Sequence, residues 1–514
     1  MARHRRKPDA TTDRSGQRQL SPPRWPVVLL LAALTLAAYW PVLSAGFIYD
    51  DKLFVVDNPA IRGWGSLPGF FADPAGTTAS VPWPGIWRPL RTASYALDYT
   101  LWGLRPLGFH LTGLLLHFCS GLLLAALAAF LLESELAGAV AAALFLLHPV
   151  QTEAVSWVAS RGDLLMALFL LGSWLLRTVY LGTRNKRWLA AALVAFALSL
   201  LSKETAAVFP LALLAVDAIV PTAEGPRKRW REYLLWIGVV IAYLAARMAV
   251  LPALPQRPYW GGSLGTTLLT MCWALFEYLR LLVLPLWLHV DYVIAPVKSL
   301  VDWRWLAGLA AAAAVLILAF WKYRALRWPA LAAAWLLIFL LPVSNLVPIT
   351  AVMAERFLYV PLIGVCILAG WLLAKIPVKY RNAALVVVCV PMIALGIRRN
   401  LEWQEPFKFW RTELSRSPRS VIAGNNLGQI CYHAGDLPQA ESLYLQAMAL
   451  DPEFPDLHAS LGDLYYKTGR LQQALDQYAE YLRLKPDAHN RAQAEQRMER
   501  IRGLIDQQQN LKTL

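Results

Sequence analysis

The chain has 514 residues, 57% of them hydrophobic and 16% charged, with a mean hydropathy of +0.42. A soluble globular chain is nearer roughly 45–50% apolar and about 25% charged, so composition excludes a soluble enzyme. The net charge of +15 collects in the N-terminal tail and short loops, as the positive-inside rule asks of a membrane protein, and is no nucleic-acid signature. Cys119, Cys272, Cys366, Cys389 and Cys431 are scattered without CxxC or other regular spacing, which reads as inert thiols rather than a metal site or disulfide framework.

Residues 1–25 are polar and basic (Arg3, Arg5, Arg6, Lys7, Arg14, Arg18, Arg24), a disordered tail retained in the cytoplasm. The apolar run Val27–Val42 has no small-residue cleavage site and reads as a signal anchor, which puts the next stretch outside. That stretch, Phe47-Ile48-Tyr49-Asp50-Asp51-Lys52, sets two adjacent carboxylates where a hydrophobic helix meets water. Such groups are costly there unless solvated, paired or functional.

The external loop 44–107 is too long for a connector. It carries Asp57-Asn58-Pro59, Trp64, Trp83, Trp87, Arg88, Arg91, Tyr95, Asp98 and Trp102. Within it Pro89–Trp102 has helical spacing and low net hydrophobicity, the pattern of an amphipathic interfacial helix. Spans follow near 108–131, 135–148, 163–181, 188–202, 205–220 and 232–250. Arg184, Lys186, Arg187 and the cluster Arg227, Lys228, Arg229, Arg231 then fall in cytoplasmic loops, consistent with an internal N-terminus.

The segment 263–286 is apolar enough to cross but holds Glu277 and Arg280. Letting it span would put Lys322, Tyr323, Arg324 and Arg327 outside, against the charge rule; a re-entrant or interfacial course brings them inside. Taken that way the chain has about eleven spans and an external C-terminus, with Arg398 and Arg399 a mild violation. From residue 400 the chain changes in kind. Leu427-Gly428 recurs as Leu461-Gly462, Tyr432 as Tyr466, Gly435 as Gly469, Ala440 as Ala474, Tyr444 as Tyr478 and Pro452 as Pro486. That offset is the tetratricopeptide period. Repeats at 421–454 and 455–488, with flanking helices near 404–416 and 488–507 as caps, predict an external helical solenoid suited to a protein or peptide partner.

On this topology the ionisable span ends gather on one face. They are His148-Pro149-Val150-Gln151-Thr152-Glu153, Arg161-Gly162-Asp163, Lys203-Glu204, His289 with Asp291, and Glu355-Arg356. Singly each has a plainer reading, as an interfacial ion pair or a span terminator; their coincidence favours one site built by several helices. A lipid-phosphate-linked substrate would need Arg or Lys for its phosphate, which Arg161, Lys203 and Arg356 can supply. It would also need a carboxylate to take a hydroxyl proton, which Asp50 or Asp51 can supply.

These strings, together with Trp87-Arg88-Pro89-Leu90, His110-Leu111, Leu116-His117 and Glu355-Arg356-Phe357-Leu358-Tyr359, resemble those of the transmembrane-and-tetratricopeptide-containing protein O-mannosyltransferases and their bacterial relatives. The resemblance runs over nearly the whole chain. It implies an all-α polytopic bundle of the GT-C type over residues 26–399, followed by the repeat domain at 400–514. It implies a polyprenyl-phosphate sugar as donor, mannose first, and inverting transfer to Ser or Thr hydroxyls of a protein acceptor on the non-cytoplasmic side. Under it Asp50 is the base and Asp51 orients the loop or sugar. Arg356, with Arg161 and Lys203, binds the phosphate, and His148, Glu153, Asp163, Glu204, His289, Asp291 and Glu355 form the supporting shell.

Clustered carboxylates can hold a divalent ion such as Mg or Mn, but cationic side chains can replace it, and the sequence leaves both open. Gly113 stands where the family motif after His110 leads one to expect Asn, and the repeat array is short. An Arg-, Ala-, Leu- and Trp-rich composition points to a bacterial inner membrane and an undecaprenyl rather than dolichyl carrier. Two rivals remain at this stage, a transporter or flippase with a repeat adaptor and a non-catalytic scaffold. Transporters place charge near the midplane in symmetric halves, a pattern absent from this sequence.

Overall fold

A computed structural model describes residues 22–73, 86–220, 229–251, 257–320, 326–486 and 491–513. The basic tail up to residue 21, Trp83, Arg227, Lys228, Lys322, Tyr323 and Arg324 lie outside the described residues. Among the described residues all regular structure is helical. The chain divides into two compact units, 1–288 with 294–403, and 289–293 with 404–514.

The first unit opens with α1 (Trp25–Tyr39), which tightens into a 3-10 turn at Trp40–Ser44. After the short α2 (Leu67–Ala72) come α3 (Pro89–Trp102), α4 (Pro106–Leu132), α5 (Glu135–Leu147), α6 (Thr152–Ser156) and α7 (Arg161–Thr183). They are followed by α8 (Lys186–Ser202), α9 (Phe209–Ile219), α10 (Trp230–Val250), α11 (Leu264–Val283), α12 (Trp303–Phe320), α13 (Arg327–Leu340), α14 (Pro361–Ala374) and α15 (Val378–Glu402). Helices α4, α5, α7, α13 and α14 form the packed centre. There Trp174 of α7 stacks on Trp335 of α13 at 4.8 Å between centroids. By contrast α10 and α15 show broad apolar surface, the finish of a helix that faces lipid rather than water.

Among the described residues six helices are long and apolar enough to cross a bilayer, which makes this a multi-pass membrane protein. The chain bends by 52° between α5 and α6, at His148-Pro149, the geometry of a broken span or of a re-entrant loop; counted as one span, the pair is a seventh. Three shorter apolar helices, Trp303–Ile317, Arg327–Val343 and Pro361–Ala374, remain, so the expected count of about eleven is approached only by letting short helices cross. Residues 264–283, expected to run re-entrant or along the interface, form a single unbroken helix with the length and hydropathy of a span; Ser263 and Thr266 close a capping box at its start and nothing inside breaks it.

In the second unit α16 (Pro406–Arg416) precedes two helix pairs, α17 (Val421–Ala434) with α18 (Leu437–Leu450), and α19 (Pro455–Lys467) with α20 (Leu471–Leu484); α21 (Arg491–Thr513) follows. The repeat is physical. Gly428 and Gly462 each lie under a tyrosine, where an added Cβ would come within 2.4 Å of Tyr444 and 3.0 Å of Tyr478. The strap 289–293 packs with this unit, its Val290 and Asp291 amides donating to the buried Glu413 carboxylate at 3.1 and 3.3 Å.

Candidate active site

Asp50 and Asp51 share a turn but not a role. Tyr49 holds a left-handed φ of +56°, a strained conformation for a bulky residue. Just beyond, Lys52–Val56 forms one π-turn, closed by the Asp57 amide on the Lys52 carbonyl at 2.8 Å. The Asp51 carboxylate is buried and accepts two backbone amides, Ile48 at 3.0 Å and Ala159 at 2.7 Å. The second ties the first loop to the Val158–Ser160 turn ahead of α7. Asp50 is left half-buried.

Helix α3 supplies the opposing charge, in an inverted sense. Its buried face carries Arg91, Thr92, Tyr95 and Asp98, while Leu97, Leu101 and Trp102 are exposed. The sequence reads this segment as amphipathic, and the polar side is the one that faces inward. Asp98 pairs with the buried Arg161 and accepts Thr112 Oγ1 at 2.7 Å; Arg161 also donates to the Phe109 carbonyl at 2.7 Å. Arg88 grips Glu204 through two bonds of 3.0 and 2.6 Å. Lys203 donates to both oxygens of Asp163, at 2.6 and 2.7 Å.

Arg91 breaks this pattern of one cation to one carboxylate. It is 1% exposed, and its Nε and Nη2 have no hydrogen-bond partner among the described residues. Its guanidinium lies 4.1 Å from the Phe54 ring centroid. Gly162, in the first turn of α7, lets the helix start come this close. A Cβ there would meet the Ser202 carbonyl at 3.0 Å and the Arg91 Cδ at 3.6 Å.

The last wall comes from two distant segments. Buried Glu153 accepts the Arg356 backbone amide at 2.8 Å and also holds its Nη1. The Arg356 guanidinium sits 5.1 Å from the centroid of Trp157. Ser156 donates to Asn400 Oδ1 at 2.7 Å, and Arg399 pairs with Glu402 at 2.8 Å and lies 3.6 Å from Glu355, so the end of α15 braces both segments.

Burial pushes the Asp50 carboxyl up to about 6, against the pull of Arg356 and Arg91. Asp51 is pushed up to about 7, mainly by burial and also by the Asp50 charge, against its two backbone bonds. Burial lowers Arg91 from its ordinary value. Glu204 is half-buried, and Arg88 overrides the effect of burial and holds it well below the usual carboxylate range. Asp50 is thus ionised near neutrality yet a better proton acceptor than an ordinary carboxylate, the condition for a general base.

Among the described residues no group of three or more His, Cys, Asp or Glu side chains is placed to hold a metal ion. Asp51 accepts one backbone amide on each oxygen, which leaves Asp50 as the less engaged carboxylate of the pair.

Of the residues singled out in the sequence, Asp50, Asp51, Glu153, Arg161, Asp163, Lys203, Glu204, Glu355 and Arg356 all belong to this interlocked set. Arg161 and Lys203, expected as phosphate ligands, are each engaged by a carboxylate. His148 sits at the α5–α6 bend and donates to the Leu282 carbonyl at 3.2 Å, a link to α11. His289 and Asp291 belong to the second unit, His289 beside Ser417 Oγ at 3.1 Å and Asp291 accepting Ser420 Oγ at 2.6 Å. Gly113 packs α4 against the bend, where a Cβ would lie 3.3 Å from the Val155 carbonyl. The sequence reading missed Arg91, Arg88 and Trp157. The inward polar stripe of α3 was the available signal for the arginines.

A family model described as dolichyl-phosphate-mannose-protein mannosyltransferase matches residues 95–252, and a TPR-repeat model matches residues 428–469. The protein O-mannosyl-transferase Tmtc1 of Drosophila melanogaster is 25% identical over 84% of this chain and 62% of its own length. The mouse protein O-mannosyl-transferase TMTC3 is 26% identical over 85% of this chain and 52% of its own length. The chain therefore spans between about half and two thirds of these relatives. A crystal structure of ArnT from Cupriavidus metallidurans bound to undecaprenyl phosphate aligns with a TM-score of 0.42 at 16% identity, covering 88% of this chain and 79% of that one. By sequence the chain is thus similar, over most of its length, to proteins named protein O-mannosyl-transferases, and it carries a TPR repeat.

Proposed function

We propose that this protein is an inverting glycosyltransferase of the GT-C type. It moves a sugar, mannose in the first instance, from a polyprenyl-phosphate carrier to a Ser or Thr hydroxyl of a protein acceptor outside the cytoplasm. The observation that carries the reading is the half-buried Asp50 coupled to two arginines from remote segments, Arg91 and Arg356, the first with unmatched nitrogens. A buried guanidinium without a partner is costly, and a phosphate is the anion whose geometry it matches.

In the reaction the acceptor oxygen attacks the sugar's anomeric carbon while Asp50 takes its proton. The bond from that carbon to the phosphate oxygen breaks on the opposite face, its electron pair leaving with the phosphate. Arg91 and Arg356 hold the growing negative charge, and the configuration inverts. The leaving phosphate needs no proton near neutrality, since its second pKa is about 6, and the proton on Asp50 passes to water. Arg161–Asp98, Lys203–Asp163 and Arg88–Glu204 keep the walls fixed, and Asp51 holds the loop.

An apolar groove of about 650 Å³, lined by Leu268, Met271, Cys272, Leu275, Leu341 and Leu346, supports a lipid-borne donor. The loop beyond it reaches Ala354, whose amide donates to Tyr278 at 3.2 Å, two residues before Arg356. The basic loops support an internal N-terminus with the site and repeats outside, in the bacterial reading the periplasmic face of the inner membrane with an undecaprenyl donor. The repeat unit is the candidate acceptor-capture module.

The test is transfer by purified protein in detergent from labelled polyprenyl-phosphate hexoses to Ser/Thr peptides. Transfer should occur with wild type and vanish in Asp50→Asn while donor binding persists. A wild type inert with each lipid-phosphate hexose would overturn the proposal, and full activity in Asp50→Asn would remove Asp50 as base.

A further inference from the structure

Trp157 lies between the two ends of the proposed chemistry. Its ring stacks on Tyr49 at 5.7 Å and 27°, next to Asp50, and packs 5.1 Å from the Arg356 guanidinium. Trp403 closes another side at 6.5 Å. The backbone fixes it on both flanks, since its amide donates to the Glu153 carbonyl at 3.3 Å and its carbonyl accepts the Ser160 amide at 3.0 Å. The side chain is 6% exposed, and its indole Nε1–H has no acceptor among the described residues. Tyr49, stacked on it, is 37% exposed and is held by its strained backbone at the site mouth.

A buried indole N–H normally has a partner. The glycosyl-transfer reading, on which this inference rests, requires a phosphate at the arginines and an acceptor hydroxyl at Asp50. The part of the substrate between those two points is the sugar ring. The geometry points to Trp157 as a specificity-determining residue whose Nε1–H donates to one hydroxyl of the transferred sugar, with the exposed Tyr49 ring as the adjoining apolar surface.

An indole that reads one hydroxyl and an indole that only fills space predict different couplings. Wild type and Trp157→Phe are assayed with the hexose donor that wild type uses and with its monodeoxy analogues. For wild type, deleting one particular hydroxyl should cost about tenfold in kcat/KM, the worth of a neutral hydrogen bond. Trp157→Phe should lose a similar factor with the native donor and be indifferent to that same deletion. Replacing Trp157 with β-(3-benzothienyl)alanine, which keeps the bicyclic shape but carries sulfur in place of N–H, should reproduce the result and guards against misfolding of the Phe variant. If wild type is active and the losses simply multiply at every position, Trp157 is packing and the inference fails while the glycosyl-transfer reading stands. A wild type inert with every donor takes down that reading first.

Discussion

Helix α7 carries a buried cluster of charges near each end, and the two are built differently. About 24 Å of helix separates Arg161 from Arg177 at 1.5 Å per residue. At the far end Arg177 uses all three guanidinium nitrogens, Nε on Glu232 and Nη1 and Nη2 on Asp217 at 3.1 and 2.6 Å. Arg229 lies 3.1 Å from the same Asp217, and Tyr233 donates to it. Two cations meet two carboxylates, so each guanidinium faces a carboxylate. At the near end Arg161, Lys203 and Arg88 are matched in the same way, but Arg91 is not, and Asp50 remains half-buried. A closed network is architecture, since breaking one member strands a charge. An open one in a crevice is where an anionic ligand completes the count.

The comparison breaks most visibly at Asp50. Asp50→Asn should lower turnover by about a thousandfold, the range of a general base, with thermal stability unchanged. Asp51→Asn should instead lower the folded yield, because Asp51 links two backbone segments. The matched cluster should answer the other way. Arg177→Ala leaves Asp217 and Glu232 facing each other without their main partner and should cost about 3–5 kcal/mol of stability, while activity per folded molecule holds. A stable Arg177→Ala protein with lost activity would reverse the assignment. Between these sits Arg91→Ala, with an expected loss of about a hundredfold in kcat/KM and an equal or higher melting temperature, because it removes a buried guanidinium whose Nε and Nη2 have no hydrogen-bond partner among the described residues. A melting temperature that falls as it does for Arg177→Ala would show that Arg91 is structural after all.

Much of this was legible in the sequence because membrane spans and repeats announce themselves by period. The apolar runs locate the helices to within a few residues, and the 34-residue offset places each Gly–Tyr contact of the repeats. Asp50 and Arg356 were legible as ionisable groups at span ends, where hydrocarbon makes charge conspicuous. Pairing was not. Lys203 stands beside Glu204 in the chain yet bonds Asp163, and Glu204 bonds Arg88 from 116 positions away. Sequence neighbours at a helix end point in different directions, so ion pairs follow the packing. Arg91 was hidden for a related reason. An amphipathic pattern gives the period of α3 but not which face turns inward, and next to lipid the polar face can be the buried one.

The finest test of the open cluster is its pH profile. Burial raises Asp50, so the carboxyl keeps its proton until the pH exceeds about 6. The protonated form cannot take a proton from the acceptor, so turnover should fall about tenfold for each unit below that value and level off above it. An unperturbed carboxylate would put the same limb near pH 4. Arg91 and Arg356 both favour the charged form, so removing either should raise the Asp50 value and shift the limb to higher pH. Arg177→Ala, at the other end of α7, should leave the limb where it is. If Arg91→Ala changes the rate but not the midpoint, the arginine holds the donor without sensing the base, and the coupling that distinguishes this end of the helix from the other is absent.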